Sequence, residues 1–150
     1  TRKEARVMYA VRKTGANAPQ IIAVGRFEIY MSKVNGNMLG DRKRNAAVFA
    51  RIGETLALMH NGNIAHGDFT PANIMVSGKE VFVIDFGLSE ITKSIEDKAI
   101  DLLLMKRSIT SGEYAHFLKG YASHSSAHRE IISRLADIET RGRYQTRTLG

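Results

Sequence analysis

Residues 66–87, HGDFTPANIMVSGKEVFVIDFG, constrain the fold of this chain more than any other stretch. Two apolar runs, 74–76 and 81–84, flank Ser77-Gly78-Lys79-Glu80, and that pattern predicts a β-hairpin. A hairpin brings its ends together. Asn73 stands at one end and Asp85 at the other, with Asp68 five residues before Asn73, so three polar groups converge on one place. Asn73 and Asp85 offer the hard oxygen ligands that magnesium prefers while keeping several waters. Asp68, between Gly67 and Phe69, is a loop carboxylate able to accept a proton or a hydrogen bond from a hydroxyl. Phosphoryl transfer asks little more of a protein than such positioning and charge. A single Asp in a loop is most often a turn former, so the weight rests on the set.

The flanks read as a mixed α+β domain. Ala5, Val7, Met8 and Val11 fall at helical spacing over residues 2–13, giving a helix with a basic outer face that stops at Gly15. Strands follow at 21–24 and 27–31, then a turn-rich linker at 32–40 containing Asn35, Gly36, Asn37 and Gly40. A helix over 45–61 carries Val48, Phe49, Ile52, Leu56 and Met59 on one side, capped by Asn45 or Asp41 and ended by a left-handed stop at Asn61-Gly62. Ser94-Ile95-Glu96-Asp97 opens a helix reaching about residue 109 that is apolar nearly all round. Asp101 stands inside that apolar surface and is expected to accept backbone N–H bonds, since a buried bare carboxylate is costly. Ser111 is expected to cap the next helix, with Tyr114, Phe117, Leu118 and Tyr121, and Ile131, Ile132, Leu135 and Ile138 mark the last. Residues 140–150 are polar and basic, a tail expected to order on binding.

Composition excludes several classes. There is no cysteine, hence no disulfide or thiolate metal site, and a cytoplasmic setting is expected. No apolar run approaches the roughly 18 residues that cross a bilayer, so no membrane role is expected. The net charge of +7 is uneven. Residues 1–44 hold Arg2, Lys3, Arg6, Arg12, Lys13, Arg26, Lys33, Arg42, Lys43 and Arg44 against Glu4, Glu28 and Asp41, and the end of the chain adds Arg141, Arg143 and Arg147. Such clusters suit a polyanion such as RNA, although solvated faces account for many of them. His124 and His128 are four apart, but their Ser-rich surroundings favour solvated polar residues over a zinc pair.

His66-x-Asp68-x-x-x-x-Asn73 followed by Asp85-Phe86-Gly87 after a hairpin reproduces the kinase order. The chain resembles the carboxyl-terminal lobe of a eukaryotic-like protein kinase, most closely the small atypical Ser/Thr kinases of the KEOPS complex, which are close to RIO-type kinases. The match runs through Arg2-Lys3-Glu4-Ala5-Arg6, His66 to Thr70, Asn73-Ile74, Ile84 to Leu88, Glu96 to Leu102 and Arg141-Gly142-Arg143. It implies a protein-kinase-like fold: a partial N-lobe and hinge at 1–34, lacking the Gly-rich loop strands; a mostly helical C-lobe at 35–139; and the basic tail. It implies Asp68 as the catalytic Asp, with Asn73 and Asp85 as magnesium ligands. Glu4 would pair with a phosphate-binding lysine. Met31, Ser32, Val34, Met75 and Ile84 would line the ATP site, and Asp101 would brace the catalytic loop.

What the resemblance implies about function is an ATP- and Mg2+-dependent kinase or ATPase subunit of the KEOPS complex. It would support threonylcarbamoyl-adenosine formation in transfer RNA beside the synthase subunit, with tRNA touched through Arg141, Arg143 and Arg147. Departures narrow this. Gly67 replaces the arginine that senses a phosphorylated loop, Thr70 replaces a lysine, and no Ala-Pro-Glu segment follows Gly87. No Gly-rich loop or strand lysine precedes Thr1, so these residues alone are expected to be inactive. Two other functions fit the same loop: a small-molecule phosphotransferase of the aminoglycoside or choline kinase type, and a pseudokinase-like assembly module.

Overall fold

The computed structural model describes residues 1–41 and 44–149, with backbone alone for 41 and 146–149. Helix α1 spans Arg2–Lys13 and buries Ala5, Val7, Met8 and Val11, as its periodicity requires. Strands β1 (Ile21–Val24) and β2 (Ile29–Met31) pair antiparallel. The second is shorter than expected because Phe27 and Glu28 enter the turn, which Gly25 N–H closes onto Glu28 O at 2.8 Å. The predicted linker is partly a strand: β3 (Asn37–Met38) pairs antiparallel with β5 (Ile74–Ser77), which pairs in turn with β6 (Glu80–Val83). Two residues are too few to leave a periodic signal.

Asn45 caps α2 (Ala46–Asn61), its side chain accepting Val48 N–H at 2.9 Å. Gly62 has φ −83°, so the left-handed turn expected there falls instead at Asn63, with φ 59°. Lys98 Nζ donates to Asn63 Oδ1 at 3.0 Å and fixes that residue. Strands β4 (Ile64–Ala65) and β7 (Glu90–Ile91) pair antiparallel. Ser94 caps α3 (Ile95–Ser108) as expected. Helix α4 (Ser111–His124) starts one residue earlier than the Ser111 cap implied, since Thr110 and Glu113 form the reciprocal capping box. Helix α5 (His128–Leu149) runs on through the stretch expected to be a tail. Thr140 Oγ1 donates to Ala136 O and Arg141 reaches Glu96 on α3, which ties that extension to the body. Among the described residues no helix is long and apolar enough to cross a membrane.

One core holds these pieces. Phe49, Ile52, Leu56 and Met59 of α2 meet Phe117 and Tyr121 of α4, Leu102 and Met105 of α3, Ile131 and Leu135 of α5, and the inner residues Ile74 and Val83 of the hairpin. Helices α2 and α4 touch backbone to backbone. A Cβ on Gly53 would lie 2.0 Å from Phe117 O, and one on Gly120 would lie 2.0 Å from Ala50 O. Overpacking of this kind typically costs about 1–3 kcal/mol, and here backbone must move. Gly53→Ala is therefore expected to lose about 2–3 kcal/mol in urea unfolding, with the m-value unchanged.

Candidate functional site

Asp101, on the inner side of α3, is fully buried and organises the loop that begins at His66. Its Oδ2 accepts His66 N–H at 2.8 Å and its Oδ1 accepts Gly67 N–H at 2.9 Å, the backbone bonds that its burial demanded. A third donor comes from a residue that sequence reasoning passed over. His60 Nε2 lies 2.9 Å from Asp101 Oδ2, and Tyr121 Oη donates to His60 Nδ1 at 2.7 Å. Asp101 accepts from His60, so the imidazole proton sits on Nε2 and Nδ1 is free to accept from Tyr121. The signal was present: His60 lies in phase with Phe49, Ile52 and Leu56 on the apolar side of α2.

His66 carries that order into the loop. Phe69 and Phe86 pack edge-on against its ring, at centroid distances of 5.7 and 5.3 Å. Its Nδ1 accepts Asp68 N–H at 3.1 Å, which leaves Nε2 to donate to Ile84 O at 3.0 Å. One imidazole thus links Asp68 to the residue before Asp85. Ser89 Oγ donates to His66 O at 2.6 Å from a buried position, and the β4–β7 pairing holds the segment after Gly87 against the strand before the loop. Gly67 has φ 89°, and a Cβ there would come within 2.3 Å of Leu88 O. The glycine in place of an arginine therefore has a steric cause: Leu88 backbone fills the space.

Three of the expected residues meet at the hairpin mouth. Asn73 Nδ2 donates to Asp68 O at 2.9 Å and to Asp68 Oδ2 at 3.1 Å. Ile74 opposes Val83, and Ile84 N–H reaches Asn73 O at 3.0 Å, so Asn73 and Asp85 flank one end of the ladder. Asp85 is exposed at φ 59°, with Oδ1 accepting Gly87 N–H at 3.2 Å. Both Asn73 amide protons are used on Asp68, which leaves its Oδ1 as an acceptor. Together with the open Asp85 carboxylate this is a hard-oxygen pair, and it fits a magnesium ion bound through few protein ligands. His, Cys, Asp and Glu form no cluster of three suited to a metal among the described residues.

The expected nucleotide contacts are less tightly joined. Glu4 is half-buried on α1 and has no ion-pair partner among the described residues. Met31 ends β2 and is exposed; Ser32 N–H donates to Gln20 O at 2.8 Å, and its Oγ accepts Gln20 N–H at 2.9 Å. Val34 is half-buried in the connection to β3. Met75 faces Met38 and Phe82 across its two neighbouring strands, and Ile84 is half-buried next to Asp85. Of the expected RNA contacts, Arg141 donates to Glu96, Arg143 to Thr140 Oγ1 at 3.2 Å, and the Arg147 side chain lies outside the described residues.

A family model described as the RIO domain matches residues 1–110. A protein of Methanothermobacter thermautotrophicus named "Probable bifunctional tRNA threonylcarbamoyladenosine biosynthesis protein" is 35% identical over 153 residues, covering 96% of this chain and 28% of that one. Its namesake from Methanocaldococcus jannaschii is 33% identical over 154 residues, covering 96% and 29%. The chain thus spans a little over a quarter of these relatives. Among solved structures, WaaP in complex with acyl carrier protein superposes with a TM-score of 0.69 at 15% identity, over 95% of this chain and 75% of that one. The Rio2 kinase-ADP/Mg2+-phosphoaspartate complex from Chaetomium thermophilum does so with a TM-score of 0.61 at 19% identity, over 95% and 53%. These two likenesses establish a protein-kinase-like fold.

Two measurements test the brace. Asp101→Asn turns an NH2 group toward donors, so a loss of about 2–4 kcal/mol is expected in thermal or urea unfolding. Burial drives the His60 imidazole below its usual range, against the pull of its Asp101 hydrogen bond. The unfolded chain takes up that proton near pH 6.5, and the folded chain only at lower pH. Stability from this group is therefore complete above about pH 6.5 and falls as the pH drops further. Melting temperatures between about pH 7.5 and 5.5 are expected to show that slope, and His60→Gln to flatten it from a lower starting value.

Proposed function

The chain belongs to the RIO-domain family, and from that membership and the loop geometry we propose that it is the kinase or ATPase part of a KEOPS-type assembly. In this reading it uses ATP with Mg2+ and supports threonylcarbamoyl-adenosine formation in transfer RNA. Residues 1–34 serve as partial N-lobe and hinge, and residues 35–139 as C-lobe. The names carried by relatives that share 96% of the chain support the tRNA link. The setting is cytoplasmic, and the partner is the synthase subunit, on the same or a separate chain.

One observation carries the chemistry: Asn73 holds the Asp68 carboxylate, while its own carbonyl accepts the N–H of Ile84, the residue before Asp85. Asp68, fixed through Oδ2, accepts the proton of an attacking hydroxyl or water. The new bond forms from that oxygen to the γ-phosphorus, the bond from the γ-phosphorus to its bridging oxygen breaks, and ADP leaves with the electron pair. Asn73 Oδ1 and the Asp85 carboxylate would hold magnesium, which supplies positive charge to the phosphates when bound. Gly67, backed by Leu88, offers no cation to a phosphorylated loop, so the site is set without one. Ser32, Val34, Met31, Met75 and Ile84 are proposed to face the adenine, and Glu4 the phosphate-binding lysine.

In the complete protein, Asp85→Ala is expected to lower Mg2+-ATP turnover by at least about 100-fold without changing the melting temperature by more than a few degrees. Turnover at the wild-type rate would overturn the metal role.

A further inference from the structure

Helix α1 has a second face with its own chemistry. Ala5, Val7, Met8 and Val11 are buried, and on the opposite side Arg2, Arg6, Tyr9 and Lys13 form one line. At 3.6 residues per turn these four fall within about 60° of one another, along about 16 Å of helix. All four are exposed, Tyr9 by 60%. The one acid of α1, Glu4, is half-buried and lies far around the helix from this line.

The cations differ in what they face. Lys3, beside the line, pairs with Glu90, and Arg12 donates to Ala18 O. Arg141 on α5, one of the residues that sequence pattern points toward RNA, is taken by Glu96, and Lys106 by Glu139. Arg2, Arg6 and Lys13 make no ion pair among the described residues, and Lys13 Nζ stands 4.7 Å over the Tyr9 ring. Three exposed cations in line with an exposed aromatic ring, with no carboxylate in the line, match what an RNA strand asks of a protein. In such contacts cations meet phosphates and a ring meets an unstacked base.

We propose that the outer line of α1, Arg2, Arg6, Tyr9 and Lys13, is an RNA-contacting surface that carries more of the phosphate contact than the end of α5. The inference rests on the tRNA link proposed above. It places RNA on the back of the helix whose inner side carries Glu4, so one rigid element separates the polyanion from the nucleotide site.

The test is binding of a tRNA transcript to the complete protein between about 50 and 200 mM KCl. Replacing Arg2, Arg6 and Lys13 together by alanine is expected to make the log–log salt slope shallower by about 2, at roughly 0.7–0.9 per lost phosphate contact, and to weaken binding at least tenfold at low salt. Tyr9→Ala is expected to weaken binding with the slope unchanged. Arg141→Ala with Arg143→Ala is expected to change the slope less than the triple variant does. Urea unfolding and Mg2+-ATP turnover of the triple variant are expected to match the wild type. A wild-type slope in the triple variant, or a slope lost wholly through the α5 pair, would overturn the proposal. Competition by polyglutamate as strong as by RNA, charge for charge, would assign the line to an acidic protein and overturn it equally. Asp85→Ala separates the two readings: it removes turnover and is expected to leave this binding intact.

Discussion

A single buried carboxylate holds the site in shape. Asp101 has no access to water, and a bare charge in that position would cost several kcal/mol. Two loop N–H groups and the His60 imidazole satisfy it, and hydrogen bonds to charged groups are worth about 1.5–3 kcal/mol each. Against a total stability of about 5–15 kcal/mol, that is enough to choose one loop conformation. The order then spreads outward. His66 fixes Asp68 and Ile84, Asn73 fixes the Asp68 carboxylate, and the hairpin sets Asp85 beside them.

The helices exist in this arrangement to make that burial possible. Helix α2 supplies His60, α3 supplies Asp101 and α4 supplies Tyr121, so the polar chain crosses three elements of the core. Gly53 and Gly120 let α2 and α4 approach at backbone distance, which brings Tyr121 onto His60. The segment after Gly87 is secured without a phosphate, by Ser89 on His66 O and by the β4–β7 pair. An arginine at position 67 would need space that Leu88 occupies.

Much of this was legible in the sequence, and the remainder had physical reasons to be hidden. The five helices and both hairpins announce themselves through apolar spacing and caps, and Asp101 through its polarity inside an apolar surface. Asp68, Asn73 and Asp85 stand out by order and spacing, and the fold joins Asn73 to Asp68 and to Ile84, the residue before Asp85. The two-residue strands β3, β4 and β7 were not legible, because their pairing is decided by distant partners. The cap at Thr110 and the left-handed Asn63 shifted by one residue from the expected positions, which is the ordinary uncertainty of helix ends. The links from His60 to Asp101 and Tyr121 were hidden because those partners lie 41 and 61 positions from it in the chain. The extension of α5 past residue 140 touches the body through Arg141 on Glu96, a partner far away in sequence that no local pattern reveals.

The central claim is that Asp101 holds the backbone of the loop that carries Asp68. Amide hydrogen exchange of His66 and Gly67 tests it most directly, since both N–H groups end on that carboxylate. The account predicts exchange as slow as that of the buried α2 amides. It also predicts selective acceleration in Asp101→Asn while α2 and α4 remain protected. Fast exchange of both amides in the wild-type protein would contradict it.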